Sequence, residues 1–181
     1  MSRIELVNPT STSPDRKALL DPITQAFGAT PNMFRAVANS PAALKGMWQF
    51  FGALGHGVIG ARLGEQIAVA VADRNGCEYC LAAHTALGRK AGVSPEDMAA
   101  AQRGESADAP TAAALRFALK LVNERGNVGE SDLQAMRQAG FTDEQTAEVL
   151  AHVALNIFTN YVNLAFAVPV DFPPVRLSRA A

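Results

Sequence analysis

Both cysteines of the sequence lie in one short segment together with a histidine. Cys77, Cys80 and His84 follow at steps of three and four residues, which places them on one face of a helix if Gly76 ends the preceding helix and Cys77 lies in the first turn of the next. A helix N-terminus, Cys-x-x-Cys spacing and a nearby imidazolium all lower a thiol pKa from about 8.5. Because the thiolate attacks both peroxides and disulfides, this segment is a candidate redox-active dithiol.

Other chemical uses of this segment fit less well. A c-type haem needs histidine directly after the second cysteine, where the chain has Leu81. Zinc could use Cys77, Cys80 and His84 as an open catalytic site, but no second Cys or His pair completes a closed one. A thioredoxin-like domain needs alternating strands and helices, which the pattern lacks. We therefore predict no metal and no cofactor, and two cysteines buried as small apolar core residues stay an alternative.

The elements around this segment are predicted to be helices. Ser40 before Pro41, and Ser94 before Pro95, each place a capping hydroxyl ahead of a proline at the first helical position. A further helix is expected over residues 110–124, which begin with proline. Gly92 and Gly140 are each expected to end a helix in the left-handed conformation just before the next N-cap.

Two apolar stretches decide the fold class. Residues 67–72 alternate Ala with Ile or Val and are the sole strand candidate, but their alanines favour a buried helix. Residues 149–170 carry no charged side chain and are long enough to span a bilayer. However, a stripe of polar side chains runs down this stretch at helical spacing: His152, Asn156, Asn160 and Asn163. Such amides are costly in hydrocarbon, so we predict a buried helix and an all-α fold with no membrane span.

Composition excludes several classes of partner and compartment. The chain has 16 Lys and Arg against 17 Asp and Glu, a net charge of -1, which offers no electrostatic footprint for nucleic acid or an anionic membrane. Two cysteines cannot form a disulfide scaffold, and the first residues lack the apolar run of a signal peptide. We therefore expect a cytoplasmic protein.

Length and turn residues predict the domain organisation. A chain of 181 residues with 49% apolar and 18% charged residues is typical of one globular domain. Residues 8–14 are a cluster of Asn, Pro, Ser and Thr with turn and extended preferences. We predict an N-terminal arm over residues 1–22, free or packed on a neighbour, and a helical domain over residues 23–181 that ends in a short C-terminal tail.

The dithiol segment resembles a known family. Glu65 precedes Cys77, Cys80 and His84 by 12, 15 and 19 residues, the pattern of the alkylhydroperoxidase D-like proteins within the carboxymuconolactone decarboxylase superfamily. The similarity also extends through residues 75–80 (Asn-Gly-Cys-Glu-Tyr-Cys). Two segments near the C-terminus indicate the peroxidase-related branch: residues 156–161 (Asn-Ile-Phe-Thr-Asn-Tyr) and 171–173 (Asp-Phe-Pro). The whole resemblance covers roughly residues 30–175.

The resemblance implies an all-helical fold that assembles as homo-oligomers, either trimers or hexamers, and a thiol peroxidase site. Cys80 would be the peroxidatic thiol, Cys77 the resolving thiol facing the reductant, and His84 with Glu65 the proton relay that deprotonates Cys80. The substrates would be hydrogen peroxide or small organic hydroperoxides. The reductant would be a small dithiol or a redox protein.

The sequence also departs from the family and leaves other functions open. Well-studied relatives place a histidine between the cysteines, where this chain has Tyr79, so one arm of their proton relay is missing. A dithiol electron carrier or disulfide reductase is the alternative, while a lactone decarboxylase-type lyase is disfavoured because those relatives lack the dithiol. An oligomeric scaffold with an inert dithiol is a further alternative. His56 and His152 are not included among the catalytic residues.

Overall fold

The fold of residues 1–178 is described by a computed structural model. These residues contain helices joined by turns and short loops, and no strand. The helices are α1 (Pro14–Phe27), α2 (Asn32–Val37), α3 (Pro41–Gly55), α4 (Gly60–Arg74), α5 (Glu78–Lys90), α6 (Pro95–Gln102), α7 (Ala109–Asn123), α8 (Glu130–Gln138) and α9 (Asp143–Ala165). The predicted all-α class is confirmed, including the helical assignment of residues 67–72.

Local capping explains where several helices begin and end. The side chain of Ser40 accepts a hydrogen bond from the Ala43 amide, and that of Ser94 accepts one from the Asp97 amide, as their positions before proline predicted. Helix α7 begins at Ala109, one residue before the predicted start, because Asp108 provides its N-cap. Gly92 and Gly140 have φ angles of 83° and 93°, and both confirm the predicted left-handed helix stops.

Helix α4 lies at the centre of the domain. It packs against α5, α6, α7 and α9, and its residues 66–72 are buried without interruption. A helix that is apolar on all sides must be covered on all sides, and the small alanines let its neighbours approach. The two helices that carry the predicted site residues, α4 and α5, are therefore packed directly on each other.

The N-terminal segment packs along the domain. The Arg3 amide donates to the carbonyl of Phe166 at 2.7 Å, and the Val7 amide donates to that of Arg35 at 3.1 Å. Helix α1 begins inside the predicted arm, and its Leu20 and Ile23 are fully buried. The turn-forming cluster thus ends where α1 begins, and the boundary proposed at residue 22 stays a prediction.

Helix α9 contains most of the long uncharged stretch, residues 149–165. The Thr142 hydroxyl caps its first turn, and Gln145 completes a capping box. Three of the predicted stripe residues, Asn156, Asn160 and Asn163, are buried against the rest of the domain. Within residues 1–178, no helix has the length and apolar character needed to cross a membrane.

Candidate active site

The turn between α4 and α5 places the first cysteine. Gly76 adopts a φ of 71°, which reverses the chain after α4, and the Cys77 amide returns a hydrogen bond to the Ala72 carbonyl at 2.9 Å. Cys77 is the N-cap of α5, one position before the first turn in which we predicted it. Its Sγ accepts a hydrogen bond from the Cys80 amide at 3.3 Å. The two thiols therefore share the positive end of α5.

The structure brings the predicted histidine and carboxylate together. His84 Nδ1 lies 2.8 Å from Glu65 Oε2, and the two side chains are 12% and 22% exposed. Glu65 comes from α4, whereas His84 lies one turn after Cys80 on α5. Because Nδ1 is held by Glu65, Nε2 is the ring nitrogen left for proton exchange with the site.

The surroundings shift the pKa values of the two thiols in opposite directions. Burial favours the neutral form of Cys80, but hydrogen bonding with Cys77, the charge of His84, the hydrogen bond from Asn163 and the amide of Asn160 together lower the pKa of Cys80 to about 7. The pKa of Cys77 is raised, because its hydrogen bond with Cys80 and its burial both favour the neutral thiol. As the pH rises past about 7, the pair therefore holds one thiolate, at Cys80, beside one neutral thiol.

Contacts within the same site also shift the pKa of the His84 imidazole. Burial alone would lower its pKa, but the charge of Glu65 and the hydrogen bond that the imidazole donates to its carboxylate outweigh burial and raise the pKa of His84 above 6.5, with a further contribution from Cys80. A raised imidazole pKa beside a lowered thiol pKa favours a thiolate-imidazolium pair.

Two asparagines of α9 reach this centre, and the sequence reasoning did not include them. Asn163 Nδ2 donates a hydrogen bond to Cys80 Sγ at 3.2 Å, and Asn160 is fully buried beside it. The buried polar stripe predicted for α9 was the available signal. It showed that the amides needed partners, but the partner lies 83 residues away in the chain.

A narrow cavity opens onto Cys80 and His84. Its volume is about 30 Å³, which is room for only one or two molecules of the size of water. Its wall is almost entirely apolar and comes from α1, α2, α3, α5, α9 and the segment after α9. The side chains that shape it include Phe27, Met33, Phe34, Phe51, Leu87 and Phe172.

Tyr79, which stands between the cysteines, forms part of this wall. Its hydroxyl accepts a hydrogen bond from the Met33 amide at 3.2 Å, and its ring meets that of Phe172 edge to face at 5.7 Å. Burial raises the pKa of the Tyr79 hydroxyl, so the side chain stays neutral. Tyr79 therefore ties α5 to α2 and to the C-terminal segment.

The two remaining histidines differ in their surroundings. His56 is exposed at the end of α3. His152 is partly buried against α4, where a Cβ placed on Gly64 would come within 2.9 Å of its ring, and burial lowers the pKa of His152. Among residues 1–178, no group of three or more His, Cys, Asp or Glu side chains is arranged to hold a metal ion.

Comparisons with known proteins agree with this architecture. Residues 41–124, which include Glu65, Cys77, Cys80 and His84, match the model of the carboxymuconolactone decarboxylase family. No curated protein matches the chain at a significant level of sequence similarity.

Solved structures share the fold over almost the whole chain. An uncharacterised peroxidase-related protein from Silicibacter sp. TM1040 is 25% identical with a TM-score of 0.81, covering 96% of this chain and 92% of its own. A peroxidase-related protein from Ralstonia eutropha JMP134, described as an alkylhydroperoxidase core, is 26% identical with a TM-score of 0.83, covering 94% and 92%. A debrominase in complex with 2,3,4-tribromopyrrole shares the fold at 20% identity and a TM-score of 0.77, covering 94% of each chain. The family resemblance predicted from the sequence is confirmed.

Proposed function

We propose that this chain, with its carboxymuconolactone decarboxylase family match and its alkylhydroperoxidase-like fold, is a thiol-dependent peroxidase. Its substrates would be hydrogen peroxide or small organic hydroperoxides. The observation that carries the proposal is the convergence of Cys80, its neighbour Cys77 and the Glu65–His84 pair at 2.8 Å, beside a cavity that reaches the sulfur. These contacts support the roles that the resemblance implies for the four residues.

In the first step, the Cys80 thiol transfers its proton to His84, whose imidazolium is stabilised by Glu65. The thiolate then attacks one oxygen of the peroxide, forming an S–O bond as the O–O bond breaks. Cys80 is oxidised to a sulfenic acid, and the peroxide is reduced to an alkoxide that takes the proton from His84 and leaves as an alcohol, or as water when the substrate is hydrogen peroxide.

In the second step, Cys77 resolves the sulfenic acid. The sulfur of Cys77 attacks that of Cys80, a disulfide forms, and water leaves with the proton of Cys77. An external dithiol then reduces this disulfide and is itself oxidised to a disulfide. Cys77 and Cys80 are only 1% and 2% exposed, so the site must open for a reductant to reach them.

The cavity favours a small oxidant over a protein substrate. A volume of about 30 Å³ admits hydrogen peroxide directly and admits the reacting end of an alkyl hydroperoxide if the surrounding aromatic rings yield. A protein disulfide cannot approach either buried sulfur without a larger rearrangement. This burial is the reason to prefer peroxide reduction to the alternative of a dithiol reductase serving a protein partner.

We also propose that the chain forms a homo-oligomer through α9. Apolar side chains on the outer face of this helix are exposed: Leu150, Phe158, Tyr161 and Leu164. Tyr161 alone is 62% exposed. Several exposed apolar side chains along one helix are typical of a contact between copies of a chain, and trimers or hexamers are the assemblies that the family resemblance implies.

The deciding experiment compares peroxide consumption by the wild type, Cys80→Ser and Cys77→Ser, with dithiothreitol as the reductant. Cys80→Ser should lose saturable consumption. Cys77→Ser is the matched control at the neighbouring thiol, and it should complete one fast turnover and accumulate a sulfenic acid that dimedone traps at Cys80. Unchanged consumption by Cys80→Ser would overturn the proposal. Faster turnover of a protein disulfide than of any peroxide would favour the reductase instead.

A further inference from the structure

Helix α9 supplies a pair of neutral amides to the proposed reactive sulfur. Asn163 Nδ2 donates to Cys80 Sγ at 3.2 Å, and both partners are buried. The Asn160 amide also favours the ionised form of Cys80. Asn160 precedes Asn163 by three residues, which puts both amides on one face of α9.

The hydrogen bonds around Asn160 indicate which end of its amide faces the sulfur. Its Oδ1 accepts a hydrogen bond from Asn75 Nδ2 at 2.8 Å, so this oxygen is turned toward the end of α4. Its Nδ2 is fully buried and makes no regular hydrogen bond within residues 1–178. A buried donor without a partner is costly and needs an explanation.

The chemistry of sulfur supplies that explanation. A neutral thiol is a weak acceptor, whereas a thiolate accepts several charge-assisted hydrogen bonds. An unpartnered Asn160 donor therefore destabilises the site when Cys80 is a thiol, and the same donor is satisfied when Cys80 is ionised. A buried anion needs such donors, because burial removes its water.

We propose that Asn160 and Asn163 form an amide cradle that holds the sulfur of Cys80 in its anionic, nucleophilic form. The inference rests on the proposed thiol chemistry and adds two residues of α9 to it. The cradle acts on the face of the sulfur toward α9, while the groups that carry or exchange charge around Cys80 lie on other helices. These are Cys77 at the N-cap of α5, Tyr79 and His84 on α5, and Glu65 on α4.

The cradle is tested by the rate at which iodoacetamide alkylates Cys80, measured against pH in a Cys77→Ser background. Removing the donor with Asn163→Ala should raise the apparent pKa of Cys80 by about one pH unit, since a hydrogen bond to a charged group is worth at least that much. At the pH of the parent's own midpoint the alkylation rate should fall about fivefold, and it should recover about two pH units above that midpoint. Asn163→Leu keeps the side-chain volume without the donor and carries the same expectation if Asn163→Ala folds poorly.

The matched control is Asn156→Ala on the same stripe of α9. Asn156 is also buried, but its Nδ2 donates to the His152 carbonyl at 2.8 Å and not to sulfur, so its pH profile should match that of the parent. An unchanged profile for Asn163→Ala and Asn163→Leu, or an equal change for Asn156→Ala, would overturn the cradle. These outcomes test only the ionisation of Cys80. If the alkylation profiles change as expected but the wild type does not consume peroxide, the peroxidase proposal is refuted and the cradle is not.

Discussion

The charge of Glu65 should control the reactivity of Cys80 through His84. The substitution Glu65→Gln keeps the shape and an acceptor for the imidazole but removes the charge. Two unit charges at the observed 2.8 Å attract by about 6 kcal/mol at an effective dielectric constant of about 20. Burial of both groups offsets much of this attraction, so a net loss of about 1.5–3 kcal/mol, typical of a hydrogen bond to a charged group, is the better guide.

A change in this free energy shifts a pKa by one pH unit for about every 1.4 kcal/mol. Burial lowers the pKa of His84 and Glu65 raises it, so without the Glu65 charge the pKa of His84 should fall. The imidazole then carries less positive charge at pH 7, and this charge helps to lower the pKa of Cys80 to about 7. If the pKa of Cys80 rises by about one pH unit, its thiolate fraction at pH 7 falls from about one half to about one tenth.

The assay is peroxide consumption and iodoacetamide alkylation from pH 5 to pH 10. Glu65→Gln should be about fivefold slower than the wild type at pH 7 and equal to it in alkylation above pH 9, where the thiol ionises without help. Glu78→Gln is the control, because Glu78 is an exposed carboxylate in the first turn of α5. A loss of alkylation of the same size at every pH, or no loss at all, would refute the proposed route from Glu65 through His84 to Cys80.

Two further predictions concern the cavity and the assembly. Phe172→Ala removes an aromatic wall of the cavity, so the ratio of kcat/KM for cumene hydroperoxide to that for hydrogen peroxide should rise about tenfold. Both values are measured at a fixed dithiol concentration, and an unchanged ratio would show that bulky substrates enter elsewhere. Tyr161→Glu places a charge among the exposed apolar side chains of α9 and should lower the mass found by sedimentation equilibrium, whereas a wild type that sediments as a monomer would contradict the oligomer proposal.

Local signals were sufficient to predict most of the architecture. Serine caps before Pro41 and Pro95 and left-handed stops at Gly92 and Gly140 act within a few residues of the chain, so they could be recognised without tertiary contacts. Helix α1 was missed because the turn-forming residues before it suggested an extended arm. Its helical face is identified by the burial of Leu20 and Ile23, which depends on contacts with the rest of the domain.

The sequence by itself determined the reactive segment, because Cys77, Cys80 and His84 are neighbours on one helix and a helix sets their relative positions. Pairing Glu65 with His84 required the family resemblance, since two helices must pack to bring them together. Tertiary structure alone decided what surrounds the sulfur: the amide from Asn163 and the narrow apolar cavity. Such contacts join residues far apart in the chain, and their geometry depends on how whole helices pack, which no local spacing specifies.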